Sequence, residues 1–210
     1  MTRLGAGALA TCTLFAASAL ADANLVANPG FETGDFTGWT QFGNTRPDHS
    51  FVCGPNSYPG WDEWLPHSGN HFAALGAANG TGLILMQTLA TNPGESYVLG
   101  FQLGSDGETP NSFAATWNGS IVLQLDDQSE TPGHDLVHGP PAAAYRAYHF
   151  AVVATGATTT MSLQSQNEQG WWALDDVSVV PFPEPSASAS LGAGMLAVIG
   201  CARWRGRRSG

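Results

Sequence analysis

The chain contains no lysine: its seven basic residues are all arginines, and Arg3, Arg203, Arg205, Arg207 and Arg208 lie in the terminal stretches. Arg46 and Arg146 are left to face all seventeen acids over residues 22–185, a net of −15 there. Such a surface repels a phosphate backbone, which excludes nucleic acid as a partner and leaves neutral sugars, cations and cationic surfaces. Cysteine is scarce as well. Cys12 and Cys201 are terminal and Cys53 stands alone in the body, so no disulfide can form within the body. The body also lacks helical periodicity, internal repeats and long apolar runs, which argues against an α/β enzyme fold. There is no Gly-x-Ser-x-Gly turn and no zinc-protease helix. His67/His71 and His134/His138 are spaced by four, but that spacing gathers two ligands only on a helix, and both pairs fall in Gly- and Pro-rich stretches.

What is abundant points the other way. Glycine (26) and proline (13) punctuate a chain of 210 residues that is 43% hydrophobic, enough for one turn-rich all-β domain with processing segments. About ten short strands are expected between residues 24 and 181, the clearest at 71–75, 83–89, 96–103, 112–117, 121–125, 145–153, 158–164 and 172–180. Tyr97, Leu99, Phe101 and Leu103 form one apolar face, and Ile121, Leu123 and Leu125 repeat the pattern. Asn118-Gly119 reads as a two-residue hairpin turn beside a core Trp117. Trp171 and Trp172 must point to opposite faces, and Asp126-Asp127 closes its strand. An antiparallel sandwich of two sheets follows.

The ends carry addresses. Residues 1–21 join Arg3, an apolar run over 4–17 and Ala19-Leu20-Ala21, the layout of a secretory signal peptide. The sandwich domain is expected over 22–182. From Pro183 the chain reads Pro183-Glu184-Pro185, an apolar stretch over 186–202 expected as a short membrane helix, then Arg203-Trp204-Arg205-Gly206-Arg207-Arg208. This resembles the PEP-CTERM sorting signal of Gram-negative bacteria. The resemblance implies transient anchoring in the inner membrane, cleavage near Pro-Glu-Pro by a membrane-embedded sorting enzyme (an exosortase), and release to the cell surface or extracellular matrix. This apolar stretch is richer in Ser, Ala and Gly than a strong span.

Residues 24–39 read Asn-Leu-Val-Ala-Asn-Pro-Gly-Phe-Glu-Thr-Gly-Asp-Phe-Thr-Gly-Trp, and residues 171–180 read Trp-Trp-Ala-Leu-Asp-Asp-Val-Ser-Val-Val. Leu25 and Val26 suggest a short strand running into Asn28-Pro29-Gly30, a turn in which Pro fixes φ and Gly supplies positive φ. The pair of motifs resembles the galactose-binding-like jelly rolls, which include carbohydrate-binding modules attached to xylanases. Pro66-His67-Ser68-Gly69 and the stretch 87–97 add a resemblance to small PEP-CTERM proteins that are one such sandwich and little else. The resemblance to the jelly rolls implies first and last strands side by side, with calcium held where Glu32 meets Asp175 and Asp176. Converging carboxylates repel unless a cation neutralises them, and calcium takes several hard oxygen ligands, including backbone carbonyls such as those near Ser68 and Gly69. The alternative is that Glu32 faces water and the Asp pair ends a strand.

Tyr58, Trp61, Asp62, Glu63 and Trp64 form the candidate sugar site, since flat aromatic faces stack on pyranose faces and carboxylates accept hydroxyl hydrogen bonds. The competing reading is that these tryptophans plug the end of the sandwich. The leading functional expectation is a non-catalytic exported protein of the cell surface or exopolysaccharide matrix that binds polysaccharide. A calcium-stabilised structural or adhesive protein without a sugar site is the second reading, and a glycan-active enzyme the third.

Overall fold

The computed structural model describes residues 24–54, 65–129 and 145–182. The leader expected over 1–21, the aromatic stretch 58–64, His134 and His138, and the sorting tail expected from Pro183 lie outside the described residues. Among those described, the elements are strands: β1 (Thr40–Gly43), β2 (Ser50–Cys53), β3 (Phe72–Leu75), β4 (Ala77–Ala78), β5 (Thr81–Ala90), β6 (Ser96–Ser105), β7 (Asn111–Trp117), β8 (Ser120–Asp126), β9 (Arg146–Val153), β10 (Thr158–Asn167) and β11 (Trp172–Pro181). No helix among them is long and apolar enough to cross a membrane.

The strands form two antiparallel sheets. One runs β1-β5-β10-β7-β8 with β4 appended to β5; the other runs β2-β3-β11-β6-β9. Period-two alternation decides which face is inward. Tyr97, Leu99, Phe101 and Leu103 of β6 are buried, opposed by Leu83, Leu85 and Leu89 of β5 and by Met161 and Leu163 of β10. Phe113 bridges the layers, 5.7 Å from the Phe101 ring and 5.6 Å from that of Trp172. Each such side chain contributes about 1.5–3 kcal/mol by leaving water, which fixes the register strand by strand. Trp172 is in the main core, while Trp171 packs with Cys53, Phe72, Ala74 and Ala173 in a smaller cluster.

Three local expectations are corrected. Leu25 and Val26 form no strand. The Asn24 side chain takes the place of a strand neighbour, donating to the Val177 carbonyl (3.0 Å) and accepting from the Val179 amide (2.9 Å), and Leu25 N–H donates to the Val179 carbonyl. On the other side, the buried Gln87 amide makes paired bonds with the Ala27 backbone at 3.0 and 2.8 Å. The segment is thus fastened to β11 of one sheet and β5 of the other, and the two extremities of the sandwich do lie side by side. Second, positive φ in the opening turn belongs to Asn28 (48°) and Phe31 (58°) rather than to Gly30. Asn28 earns that conformation with side-chain bonds to Thr33, Asp35 and Thr37, and Phe31 is locked between the rings of Phe36 and Trp39. Third, Ile121 leaves the apolar face of Leu123 and Leu125. An irregularity between Ala115 and Thr116 pairs Ile121 with Thr116, turning it outward to 65% exposure.

Candidate functional site

Two regions carry polar chemistry. The first is the junction of the extremities, where Gly30 sits with Asp175, Asp176 and Glu32 side-chain atoms all within 4 Å of where its Cβ would be. The segment 67–71 closes over them. Ser68 donates its amide to Asp175 (3.1 Å) and its hydroxyl to Asp176 (2.6 Å), His67 Nδ1 lies 2.6 Å from Asp176, and the amides of Asn70 and His71 donate to Glu32 at 2.9 and 3.0 Å. Gly69, at φ 64°, is where this loop touches Glu32, and a Cβ there would collide with the carboxylate. Asp176 itself is left-handed (φ 49°), at the register shift that bulges β11 between Asp175 and Ser178.

These contacts set the electrostatics. Asp175 is fully buried, and burial, reinforced by the Asp176 charge and opposed by amide donors including Ser68, pushes its pKa up to about 7. For Glu32, burial acts upward, but the donors from Asn70 and His71 outweigh it and hold the carboxyl below its ordinary value. Three acids therefore meet with amides, a hydroxyl and histidines as partners and no arginine. The all-oxygen acidic set has the chemistry of a calcium site, yet its oxygens are occupied by protein donors. Among the described residues, no group of three or more His, Cys, Asp or Glu is arranged to hold a metal ion. To hold one, Asp176 would have to exchange its Ser68 and His67 contacts for the ion. The expected convergence of Glu32, Asp175 and Asp176 is thus present, and His67 and His71 go to different carboxylates of it.

The second region is an open groove of about 320 Å³ on the outer face of the six-stranded sheet. Strand register places Phe42, Ile84, Gln164, Ala114 and Gln124 in one row across β1, β5, β10, β7 and β8. At about 4.8 Å per strand the row spans about 19 Å. The trough exists because Gly43, Gly82, Ser112 and Ala114 are small, while Gln124, Gln164 and Gln166 rise beside them. A side chain at Gly82 would collide with the Ser165 carbonyl, so the floor stays low. Among the described residues, none with a charge lines the groove, and Phe42, 48% exposed, stands at the β1 end of the row. One end is formed by the Asn79-Gly80 turn, both residues at positive φ, with the Gly80 amide held by Glu168.

Sequence reasoning missed this groove because it searched for aromatic rings. The available signal was the outward parity of β10, in which Gln164 and Gln166 alternate with the buried Leu163, Ser165 and Asn167. The five residues of the expected sugar site, Tyr58, Trp61, Asp62, Glu63 and Trp64, lie outside the described residues.

No family model matches the chain, and no curated protein does. Solved structures do. The chain is similar to TmCBM61, a carbohydrate-binding module solved in complex with β-1,4-galactotriose, at 17% identity and a TM-score of 0.55, covering 76% of this chain and 99% of that one. It is also similar to the K1 cleaved adhesin domain of Lys-gingipain from Porphyromonas gingivalis W83, at 11% identity and a TM-score of 0.53, covering 73% and 96%. At these identities the likeness establishes the shared jelly-roll sandwich.

Proposed function

We propose that the chain is a non-catalytic carbohydrate-binding sandwich that takes a polysaccharide along the groove of its six-stranded sheet. The groove's uncharged lining carries this reading. Gln124, Gln164 and Gln166 each offer a donor and an acceptor, which suits vicinal sugar hydroxyls, while Phe42 and Ile84 offer apolar surface to a pyranose face. The fold shared with a galactotriose-binding module supports the same reading. Affinity gel electrophoresis of the full chain with soluble β-1,4-galactan and β-1,4-xylan tests it. Retardation is expected, and Gln164→Ala with Gln166→Ala should weaken it at least tenfold. No retardation by either polymer, or loss only with Trp61→Ala and Trp64→Ala, counts against the groove.

The address belongs to the same proposal: export by the leader, transient anchoring by the tail, sorting at Pro183-Glu184-Pro185, and release to the surface or matrix. Deleting residues 183–210 should shift the protein from the membrane fraction to the medium. In the proposed calcium role, Glu32, Asp175 and Asp176 would hold the ion, which would offset the mutual repulsion of their carboxylates. A calcium-dependent rise in melting temperature, lost in Glu32→Ala, checks it. The second reading is a calcium-stabilised adhesive protein without a sugar site, and the likeness to a domain described as a cleaved adhesin supports its adhesive part alone.

A further inference from the structure

Native sheets blunt their edges by shortness, charge, proline or bulges. Here one side of the sandwich is blunted and the other is not. β1 and β2, at one pair of edges, have four residues each; β8 and β9, at the opposite pair, have seven and eight. β8 has no charge, glycine or proline from Ser120 to Leu125, and among the described residues neither β8 nor β9 has a strand on its outer side. Both edges lie on one side of the molecule, since Trp117 of β7 donates its ring N–H to the Val153 carbonyl of β9 (2.9 Å) and Leu123, Leu125, Tyr148 and Phe150 pack on one core. Two of the exposed large hydrophobic residues, Ile121 (65%) and Val153 (52%), belong to these strands.

We infer that two copies of this chain join side by side about a twofold axis, β8 of each pairing antiparallel with β9 of the other, so that both sheets continue through the dimer. One register meets every constraint at once. Setting Asp127 opposite the partner's Arg146 brings Leu125 opposite Tyr148 and Leu123 opposite Phe150, all core-facing, and Gln124 opposite His149, both outward. Ile121 then meets Ala151, with Val153 on the diagonal. A slip by one residue would oppose inward to outward positions along the whole seam. The charges agree as well: Arg146, one of two arginines in the body, sits at the start of β9, and the Asp126-Asp127 pair ends β8. The acidic net charge opposes association at long range, a repulsion that physiological salt screens within about 8 Å, whereas the seam contacts are local. The seam also extends the groove face, because the partner's His149 lies next to Gln124.

The test is sedimentation velocity at physiological salt on the full chain, with cross-linking in a Cys12→Ser, Cys201→Ser background carrying Gln124→Cys and His149→Cys. Within one chain these positions lie on opposite outer faces of sheets about 10 Å apart, beyond the roughly 7 Å a disulfide spans between Cα atoms. A covalent dimer under mild oxidation, absent from either single cysteine variant, is expected, and Arg146→Glu should raise the dimer dissociation constant at least tenfold. A monomer at all concentrations, as when the chain's own residues 130–144 cover these edges, would overturn the inference. So would a dimer that neither cross-links nor responds to Arg146→Glu, which places association elsewhere.

Discussion

At the scale of single residues, polar side chains hold the fold where backbone pairing stops. Gln87 faces inward on β5 among leucines, at a position the alternation reserves for an apolar side chain, because Ala27 presents both of its backbone groups there. Gln87→Ala leaves a donor and an acceptor unsatisfied in partly buried surroundings, so it should cost about 1–3 kcal/mol in urea unfolding. No local sequence signal reveals this, since the partners are sixty residues apart. Asp175 makes the complementary case. Its pKa of about 7 in the fold, against an ordinary 3.8, means that between those pH values the folded chain keeps a proton the unfolded chain has released. Stability of calcium-depleted protein should therefore fall as pH rises from about 4 to about 7, by up to about 4 kcal/mol at 1.36 per unit. Asp175→Asn should flatten that slope, and saturating calcium should remove it by favouring the ionised form. An unchanged slope in Asp175→Asn would show that another group titrates.

At the scale of elements, alternation and turn chemistry are legible in the sequence and irregularities are not. The Asn118-Gly119 hairpin forms as its residues require, with φ of 47° and 77° and Trp117 facing Ser120. Strands β3 to β11, β4 aside, appear within a few residues of their expected bounds, because alternation and the flanking turn residues mark them. β1 and β2 are not among the clearest expected strands: β1 is exposed throughout, and neither shows a period-two apolar face. Ile121 is misjudged because a bulge is a property of the strand pair. The loop over 67–71 depends on Gly69, which combines positive φ with contact to Glu32. Gly69→Ala should destabilise by at least the roughly 1–2 kcal/mol of a left-handed non-glycine residue, and should lower calcium response together with stability. A fully stable Gly69→Ala protein would show that the loop closes differently.

At the scale of the whole molecule, the resemblance of motifs 150 residues apart implied adjacent extremities, and the adjacency holds through the Asn24 side chain rather than through a pair of first and last strands. The ligand face was not readable. A groove depends on which outward positions are small and which are long across five strands that sequence separates widely, and only the assembled register aligns Gln124, Gln164 and Ala114. The uncharged amide trough is therefore the central structural feature behind the functional reading, and side-chain amide resonances report on it directly. In a titration of isotope-labelled protein with β-1,4-galactan and β-1,4-xylan oligosaccharides, the largest shifts should fall on the amides of Gln124, Gln164 and Gln166. Shifts confined to the indoles of Trp61 and Trp64, or no saturable shift with either sugar, would contradict a glycan site in this groove.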